Sequence, residues 1–341
     1  TSRYYAQQVG RDTDWAQVSL GGSHVCAVKL TGALYCWGNN SNSQLGLGDV
    51  VSRSTPTRVG ALNTWAKVSA GQSHTCGVQT DHTLWCWGSN YSAEGGDATG
   101  GNRYLPRQVG TAQTWDRVRA LQSFTCATRT DGTLWCWGNN SYGQLGDGTT
   151  TQKTTPTQIG AATDWSDVQG APQGQTVCGT RTSGALYCWG YNGSSQVGDG
   201  TTTNRTAPKQ VGTLTTWATV GVGQTHVCAI QTDGSLWCWG DNYYGSLADG
   251  STTNATTPVR ALPPTTDWVS IASGARYSCG LRSNQTVSCW GYGAYGSLAT
   301  GNQNTNHILP QQIDDTACST GNSNCSTDAQ CLGDVNGQFT C

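Results

Sequence analysis

Residues 125–138 read TCATRTDGTLWCWG, and this stretch decides the fold. Side chains alternate along its two arms, so Cys126 and Cys136 point to one face and Trp135 points to the other. Residues 130–132, Thr-Asp-Gly, separate the arms, and an Asp-Gly step between β-forming residues is a strong hairpin signal. The stretch therefore predicts a β-hairpin with a three-residue loop.

Similar hairpins occur in the other repeats, but two of their loops lack the glycine. His82 and Gln285 occupy the position that Gly132 holds here. A residue other than glycine at that position must adopt a positive φ, or the loop must use another turn type. The sequence leaves these two alternatives open.

Self-similarity extends the hairpin over most of the chain. The tripeptide Cys-Trp-Gly occurs six times, at spacings of 50, 50, 52, 50 and 51 residues. An upstream tryptophan recurs in step, at Trp15, Trp65, Trp115, Trp165, Trp217 and Trp268. Repeats of this length with about four short strands each, and without helical periodicity, predict an all-β fold of the β-propeller type. A parallel β-helix is the competing architecture, but its repeats are about half as long.

The predicted propeller spans residues 1–313. Its repeats lie at about 15–60, 65–110, 115–160, 165–212, 217–262 and 268–313. Residues 3–10, RYYAQQVG, precede the first complete unit and look like the last strand of a unit, as in YLPRQVG at 104–110. This strand either closes a six-bladed ring or belongs to a seventh repeat. We favour six blades, with seven as the alternative.

Twelve of the 16 cysteines form pairs ten residues apart, each centred on the middle residue of a hairpin loop. The pairs are Cys26 and Cys36, Cys76 and Cys86, Cys126 and Cys136, Cys178 and Cys188, Cys228 and Cys238, and Cys279 and Cys289. Directly opposed residues of antiparallel strands have Cα atoms about 4.5–5.5 Å apart, which suits a disulfide. Zinc needs four converging ligands, and each repeat offers two cysteines and at most one histidine. We predict one cross-strand disulfide per blade, no metal and no cofactor, and an oxidising, extracellular or cell-surface location.

Composition limits the classes of partner. Charged residues make up 11% of the chain and the net charge is −2. Nucleic-acid binding needs a basic stripe and membrane-surface binding needs a basic patch, so neither is expected. No apolar run is long enough to span a membrane. We expect protein partners or self-association in an extracellular assembly, with glycans as further ligands.

The repeat resembles that of the regulator of chromosome condensation (RCC1) family. W-x-x-V, G-x-x-H-x-C, D-G-x-L-x-C-W-G, Q-L-G-D-G-T and P-x-x-V follow one another in order, most clearly in the third unit. The resemblance implies a propeller, usually of seven blades. The founding member of the family is a nuclear exchange factor for a small GTPase and binds chromatin, and other members are modules of larger proteins or secreted inhibitors. The predicted disulfides argue against a nuclear role for this chain.

Residues 314–341 resemble the first two thirds of an epidermal-growth-factor-like (EGF-like) module. The family pattern implies the pairs Cys318–Cys331 and Cys325–Cys341, with the remaining two cysteines of a module beyond Cys341. Calcium-binding versions carry Glu or Gln before the first cysteine, whereas Ala317 stands here. Such modules are extracellular, in agreement with the blade disulfides.

Few residues stand out as candidate sites. His24, His74 and His226 share one repeat position with Phe124, so we expect them to pack rather than react. Trp85, Trp135 and Trp237 precede the second cysteine of their hairpins, and they either pack or form an exposed sugar-stacking or partner-binding surface. Arg117, Arg119 and Leu121 depart most from the repeat and are further candidates for a partner face. Sequons for glycosylation occur at Asn39, Asn90, Asn139, Asn192, Asn204, Asn254, Asn284 and Asn324.

No catalytic, cofactor-binding or metal site is predicted. The sequence therefore indicates a non-enzymatic extracellular scaffold or protein-interaction module, such as a structural subunit of a surface appendage or matrix. A secreted carbohydrate-binding lectin or a protein inhibitor is the alternative.

Overall fold

The computed structural model describes residues 8–300 and 305–313, together with the backbone of two short strands near the C-terminus. Its described residues form six consecutive four-stranded antiparallel sheets, which are the six blades of an all-β propeller. A single turn of 3₁₀ helix, Ala294–Gly296, is the helical element in the described part. The predicted fold class and the six blades are confirmed.

The strands of each blade follow one another in space as they do in sequence. Blade 1 contains β1 Trp15–Leu20, β2 His24–Lys29, β3 Leu34–Gly38 and β4 Arg53–Arg58. Blade 2 contains β5 Trp65–Ala70, β6 His74–Gln79, β7 Leu84–Gly88 and β8 Arg103–Gln108. Blade 3 contains β9 Trp115–Ala120, β10 Phe124–Arg129, β11 Leu134–Gly138 and β12 Lys153–Gln158.

The second half repeats this arrangement. Blade 4 contains β13 Trp165–Gly170, β14 Thr176–Arg181, β15 Leu186–Gly190 and β16 Arg205–Gln210. Blade 5 contains β17 Trp217–Val222, β18 His226–Gln231, β19 Leu236–Gly240 and β20 Ala255–Arg260. Blade 6 contains β21 Trp268–Ser273, β22 Tyr277–Arg282, β23 Val287–Gly291 and β24 His307–Gln312. The two short C-terminal strands are β25 Leu332–Gly333 and β26 Phe339–Thr340.

The first strand of each blade is the innermost. The first strands of consecutive blades contact each other from β1 to β21, whereas the fourth strands lie outermost. The loops after the first and third strands lie at the same end, since Ser89 N donates to Ser73 O at 2.8 Å and Asn139 N donates to Ser123 O at 2.9 Å. We call this end the upper face.

All six blade disulfides form as predicted. In every blade the two cysteines lie directly opposite each other in the pairing of the second strand with the third. The Cα atoms of each pair are 4.1 Å apart. The bonded pairs, from blade 1 to blade 6, are Cys26 and Cys36, Cys76 and Cys86, Cys126 and Cys136, Cys178 and Cys188, Cys228 and Cys238, and Cys279 and Cys289.

The four remaining cysteines belong to the tail. Cys318, Cys325, Cys331 and Cys341, and with them the EGF-like resemblance and its two pairs, lie outside the residues whose side chains the structure describes. The EGF-like pairing therefore stays a prediction.

One tryptophan contact recurs between the blades. The indole Nε1 of the Cys-Trp-Gly tryptophan donates to a backbone carbonyl of the preceding blade at 2.8 to 3.0 Å. The pairs are Trp87 to Gln44, Trp137 to Glu94, Trp189 to Gln144, Trp239 to Gln196 and Trp290 to Ser246. Five clusters of buried apolar side chains accompany these five interfaces. Burial between blades, rather than within one, therefore forms the core.

In the two hairpin loops without glycine, the residue that replaces the glycine adopts a positive φ, so the loop keeps its turn type at the cost of backbone strain. His82 has φ 62° and Gln285 has φ 67°, close to the 74° of Gly132. His82 Nδ1 donates to Trp115 O at 2.9 Å, a contact that offsets part of the strain.

Substitutions at two glycines can separate the cost of backbone strain from the cost of steric overlap with a neighbouring segment. Gly132 and Gly160 both have positive φ, but a Cβ on Gly132 would overlap the Thr163 carbonyl oxygen, whereas a Cβ on Gly160 would meet nothing within 4 Å. Gly160→Ala should lower the free energy of unfolding by about 1 kcal/mol through backbone strain. Gly132→Ala should cost about 1–3 kcal/mol more, because the loop must move. Urea unfolding measures the free energy of unfolding of both variants, and equal losses would contradict the steric overlap at Gly132.

Candidate functional site

Three buried histidines face hydroxyl groups of the next blade. His24 Nε2 lies 2.8 Å from Thr75 Oγ1, His74 Nε2 lies 3.0 Å from Thr125 Oγ1, and His226 Nε2 lies 2.8 Å from Ser278 Oγ. An imidazole beside a hydroxyl is the arrangement of an activated nucleophile. These pairs are nevertheless sealed inside the interfaces, and Thr75 Oγ1 donates to Gln44 O at 2.8 Å. They therefore join blades, as expected of packing positions.

Burial keeps these imidazoles neutral. It lowers the pKa of His24 to about 4, of His74 to about 3 and of His226 to about 4. Their Nδ1 atoms have no hydrogen-bond partner, so a proton added there would be a buried charge without an acceptor.

This burial predicts a stability that depends on pH. In the unfolded chain a histidine has a pKa of about 6.5, so below that pH the unfolded state binds more protons and the free energy of unfolding falls. Between pH 7.5 and pH 5.5 each buried histidine should cost about 1 kcal/mol. Urea unfolding at both values should show His74→Gln losing less on acidification than the parent chain. The same slope in His74→Gln as in the parent chain would contradict the account.

The three candidate tryptophans are half-buried along the third strands. Trp85, Trp135 and Trp237 each donate Nε1 to a hydroxyl of their own hairpin at 2.9 to 3.0 Å. The guanidinium of Arg129 lies over the ring of Trp135, 4.0 Å from its centre. One face of that ring is therefore covered by a cation, which leaves less of it for stacking on a sugar.

The expectation that Leu121 forms part of a partner face is wrong. Leu121 is 0% exposed and packs with Phe124 in the cluster between blades 3 and 4. A Cβ on Gly170 would overlap the Leu121 side chain, so the glycine of blade 4 provides the space that this leucine fills. Leucine at position 121 and glycine at position 170 therefore compensate each other in volume, and this accounts for the departure from the repeat.

Arg117 and Arg119 lie on the inner strand β9 and belong to a row of charges. Arg117 and Arg119 both approach the Asp167 carboxylate, at 3.6 and 3.8 Å, and Arg119 Nε donates to Val168 O at 3.0 Å. On the other side, Lys67 pairs with Asp116 at 2.8 Å. The row links the inner strands of blades 2, 3 and 4 and stays partly exposed. Both arginines are partly exposed, and each already pairs with at least one carboxylate of the row.

Exposed and half-exposed tyrosines on the upper face form a surface that sequence reasoning missed. They follow the Cys-Trp-Gly segments, and we call this set the tyrosine rim: Tyr91, Tyr142, Tyr191, Tyr243, Tyr244, Tyr292 and Tyr295. Tyr91 is 74%, Tyr243 71% and Tyr295 76% exposed. The signal was visible, because a tyrosine lies within five residues after the Cys-Trp-Gly segment in five of the six units.

Contacts between blades order part of this rim. The rings of Tyr142 and Tyr191 meet edge to face with centres 5.2 Å apart, and those of Tyr244 and Tyr292 are 4.7 Å apart. Arg276 lies over Tyr244, 5.3 Å from its ring centre. Near the centre of the upper face, Gln173 of the segment 171–175 contacts Gly22 O of blade 1 at 3.4 Å. The upper face thus presents exposed aromatic rings, and the segment 171–175 of blade 4 reaches across it to blade 1.

The sequons differ in their room for a glycan. Asn90 and Asn192 are buried, and their side-chain nitrogens donate to Thr99 O at 2.6 Å and Thr201 O at 3.0 Å. A glycan on either would not fit the folded chain. The exposed candidates are Asn204, Asn254 and Asn284, the half-buried ones are Asn39 and Asn139, and Asn324 lies outside the described residues.

Neither a metal centre nor a membrane helix emerges from residues 8–300 and 305–313. Within them, no three His, Cys, Asp or Glu side chains meet as metal ligands would. No helix of that part is long and apolar enough to cross a membrane.

Comparison with solved structures supports the fold. Human WBSCR16 superposes with a TM-score of 0.83 at 18% identity, over 92% of this chain and 84% of that one. Yeast Prp20 in complex with Kap60 gives 0.78 at 18% identity, over 89% and 75%. A second structure of Prp20p from Saccharomyces cerevisiae, described with its binding to Gsp1p and histones, gives 0.79 at 17% identity, over 89% and 77%.

A curated human relative matches one part of the chain. The probable E3 ubiquitin-protein ligase HERC3 is 48% identical over 44 residues, which are 13% of this chain and 4% of that protein. The chain therefore spans a small fraction of that relative.

Two family models match the repeats themselves. Both are described as the regulator of chromosome condensation (RCC1) repeat, and they match residues 31–78, 131–173, 183–230 and 233–281, and residues 15–44, 65–93, 217–246 and 268–297. The matches cover more than half of the chain and reach into all six blades. The chain belongs to the RCC1 repeat family.

Proposed function

We propose that this propeller is a non-enzymatic protein-interaction module that works outside the cell, as a scaffold subunit of a surface appendage or matrix. Its partner binds the tyrosine rim. The observation that carries this proposal is the exposure of Tyr91, Tyr243 and Tyr295 on one face. Tyrosine is enriched in the cores of protein interfaces, because it buries a large area with little loss of side-chain entropy.

The chemistry of the rim favours a protein partner. Its rings carry hydroxyl groups rather than charges, and the chain as a whole has a net charge of −2. Binding would therefore depend on buried aromatic area and hydrogen bonds more than on long-range attraction, and should depend only weakly on salt.

The proposed location rests on the disulfides. Six cystine bridges are stable where the environment is oxidising, and extracellular proteins are the usual carriers of such sets. Each bridge closes a short loop within one hairpin, so each adds a modest amount to the stability of its blade.

The rim is tested by photo-cross-linking on intact cells of the source. Purified chain carrying benzoylphenylalanine in place of Tyr243 should form a discrete cross-linked species, whereas the same group in place of Tyr104, on an outer strand, should not. Excess unlabelled chain added outside the cells should abolish the species. The triple variant Tyr91→Ala, Tyr243→Ala, Tyr295→Ala should compete about tenfold less well or worse.

Mass spectrometry of the cross-linked species identifies the partner. A second copy of this chain or another surface protein would agree with the scaffold role. Equal cross-linking from Tyr104, or full competition by the triple variant, would contradict the rim. A glycan as the sole cross-linked partner would favour the lectin alternative instead.

A further inference from the structure

One position on the lower face holds a cation in four of the six blades. The lower face is the end of the propeller that carries the hairpin loops between the second and third strands. The last residue of the second strand lies there, and in blades 1, 3, 4 and 6 its charged group lies 4.0 to 5.1 Å from the ring centre of the tryptophan that begins the first strand. From blade 1 to blade 6 the residue is Lys29, Gln79, Arg129, Arg181, Gln231 and Arg282.

An aspartate just before that tryptophan pairs with the cation in three of these blades. Arg282 Nη1 donates to both carboxylate oxygens of Asp267, at 2.8 and 3.0 Å. Blades 1 and 4 repeat the arrangement, so a carboxylate in the chain neutralises each stacked cation. The pairs are Lys29 with Asp14, Arg181 with Asp164, and Arg282 with Asp267.

Blades 2 and 5 use an uncharged pair at the same two positions. Threonine precedes the tryptophan, at Thr64 and Thr216, and glutamine ends the second strand, at Gln79 and Gln231. Thr64 Oγ1 donates to Gln79 Oε1 at 3.0 Å. In these five blades a cation therefore goes with a carboxylate, and an amide goes with a hydroxyl.

Blade 3 combines the cation of one pair with the threonine of the other. Arg129 ends the second strand, but Thr114 precedes the tryptophan. The backbone is placed as in blade 4, since Thr130 N donates to Thr114 O at 2.8 Å and Thr182 N donates to Asp164 O at the same distance. Within residues 8–300 and 305–313, Arg129 takes part in no ion pair.

Two indoles hold the guanidinium of Arg129. Its central carbon lies 4.6 Å from the ring centre of Trp115 and 4.0 Å from that of Trp135. Its Nε is buried without a hydrogen-bond partner, as is that of Arg181, so the terminal N–H groups are the donors that a carboxylate meets. Arg129 is half-buried and Thr114 is exposed, so a ligand can reach these donors from the lower face.

Asp131 is the acidic side chain whose charge interacts with Arg129, and it is engaged elsewhere. Its Oδ1 accepts from Thr133 N at 3.0 Å and from Thr133 Oγ1 at 2.6 Å. These hydrogen bonds are the main cause that lowers the pKa of Asp131, and the charge of Arg129 adds to them. Asp131 therefore stabilises its own hairpin loop and does not replace the missing aspartate.

We propose that Arg129 anchors a carboxylate-binding site on the lower face of blade 3, where an aspartate or glutamate side chain of a protein partner takes the place that Asp164 holds in blade 4. The indoles fix the guanidinium before the partner arrives, so little side-chain entropy remains to be lost on binding. The rings contact the guanidinium through its face, and a carboxylate accepts hydrogen bonds in its plane. The site lies opposite the tyrosine rim and is independent of it.

The aromatic surroundings favour a protein carboxylate over an acidic sugar. A sugar ring would need an open aromatic face beside the guanidinium. Trp115 is 1% exposed, and Arg129 itself covers one face of Trp135. An aspartate side chain needs no such face, because Asp164 and Asp267 reach the equivalent cations of their own blades.

NMR on the full chain labelled with ¹⁵N tests the site through the arginine Nε–H signals. The probe is N-acetyl-aspartyl amide, titrated at constant ionic strength so that screening does not change. The Nε–H signal of Arg129 should shift along a saturating curve. The signals of Arg181 and Arg282 should stay in place, because their own aspartates occupy them. The uncharged N-acetyl-asparaginyl amide should shift none of the three.

The other blades supply two matched variants. Thr114→Asp reproduces the charged pair of blades 4 and 6, and it should weaken binding of the aspartyl probe about tenfold or more, because a tethered carboxylate competes at high effective concentration. Arg129→Gln reproduces the uncharged pair of blades 2 and 5 and should abolish the saturating shift of the Thr130 amide. An unchanged indole Nε1–H signal of Trp137 shows that each variant is folded.

Three results would overturn the proposal. One is no saturating shift of Arg129 with the aspartyl probe, and another is equally tight binding of that probe by Thr114→Asp and the parent chain. The third concerns glucuronate, which should bind no tighter than the aspartyl probe. Binding about tenfold tighter would show contacts to the sugar ring and would make an acidic sugar the occupant.

Discussion

The indole N–H of the Cys-Trp-Gly tryptophan in blades 2 to 6, bonded to a carbonyl of the preceding blade, is the contact on which the propeller depends. It places the largest side chain of one repeat against the backbone of another, so no blade completes its core alone. Gly146 shows how closely the backbone approaches, because a Cβ there would lie 2.7 Å from Trp189 Nε1. Gly146 also has a φ of 80°, which glycine adopts with little backbone strain. The sequence pattern Leu-Gly after the tryptophan thus has a steric reason.

The hairpins and disulfides could be predicted from sequence, whereas contacts between blades could not. The spacing of Cys126 and Cys136 and the loop at 130–132 are local, so they determine the register of one hairpin without knowledge of its neighbours. The burial of Leu121 depends on Gly170 of the next blade, and alternation along one strand carries no information about such a pair. The tyrosine rim was missed for a related reason, since its members occupy loop positions that shift by a residue between units.

The strands and the upper loops have different roles in this propeller, and the difference bears on where a partner can be recognised. Strand positions repeat because each serves the same junction, as the histidine and hydroxyl pairs do between blades. The upper loops are free to differ, and there the chain presents tyrosines, the segment 171–175 and Arg276. Binding specificity in such a fold therefore resides in features that break the repeat.

Exchange of the indole N–H protons, followed by NMR on chain labelled with ¹⁵N-tryptophan, tests the central contact most directly. The account predicts that the Nε1–H signals of Trp87, Trp137, Trp189, Trp239 and Trp290 persist in heavy water as long as the backbone amides of the inner strands. Rapid loss of the five signals from a folded chain would contradict the account.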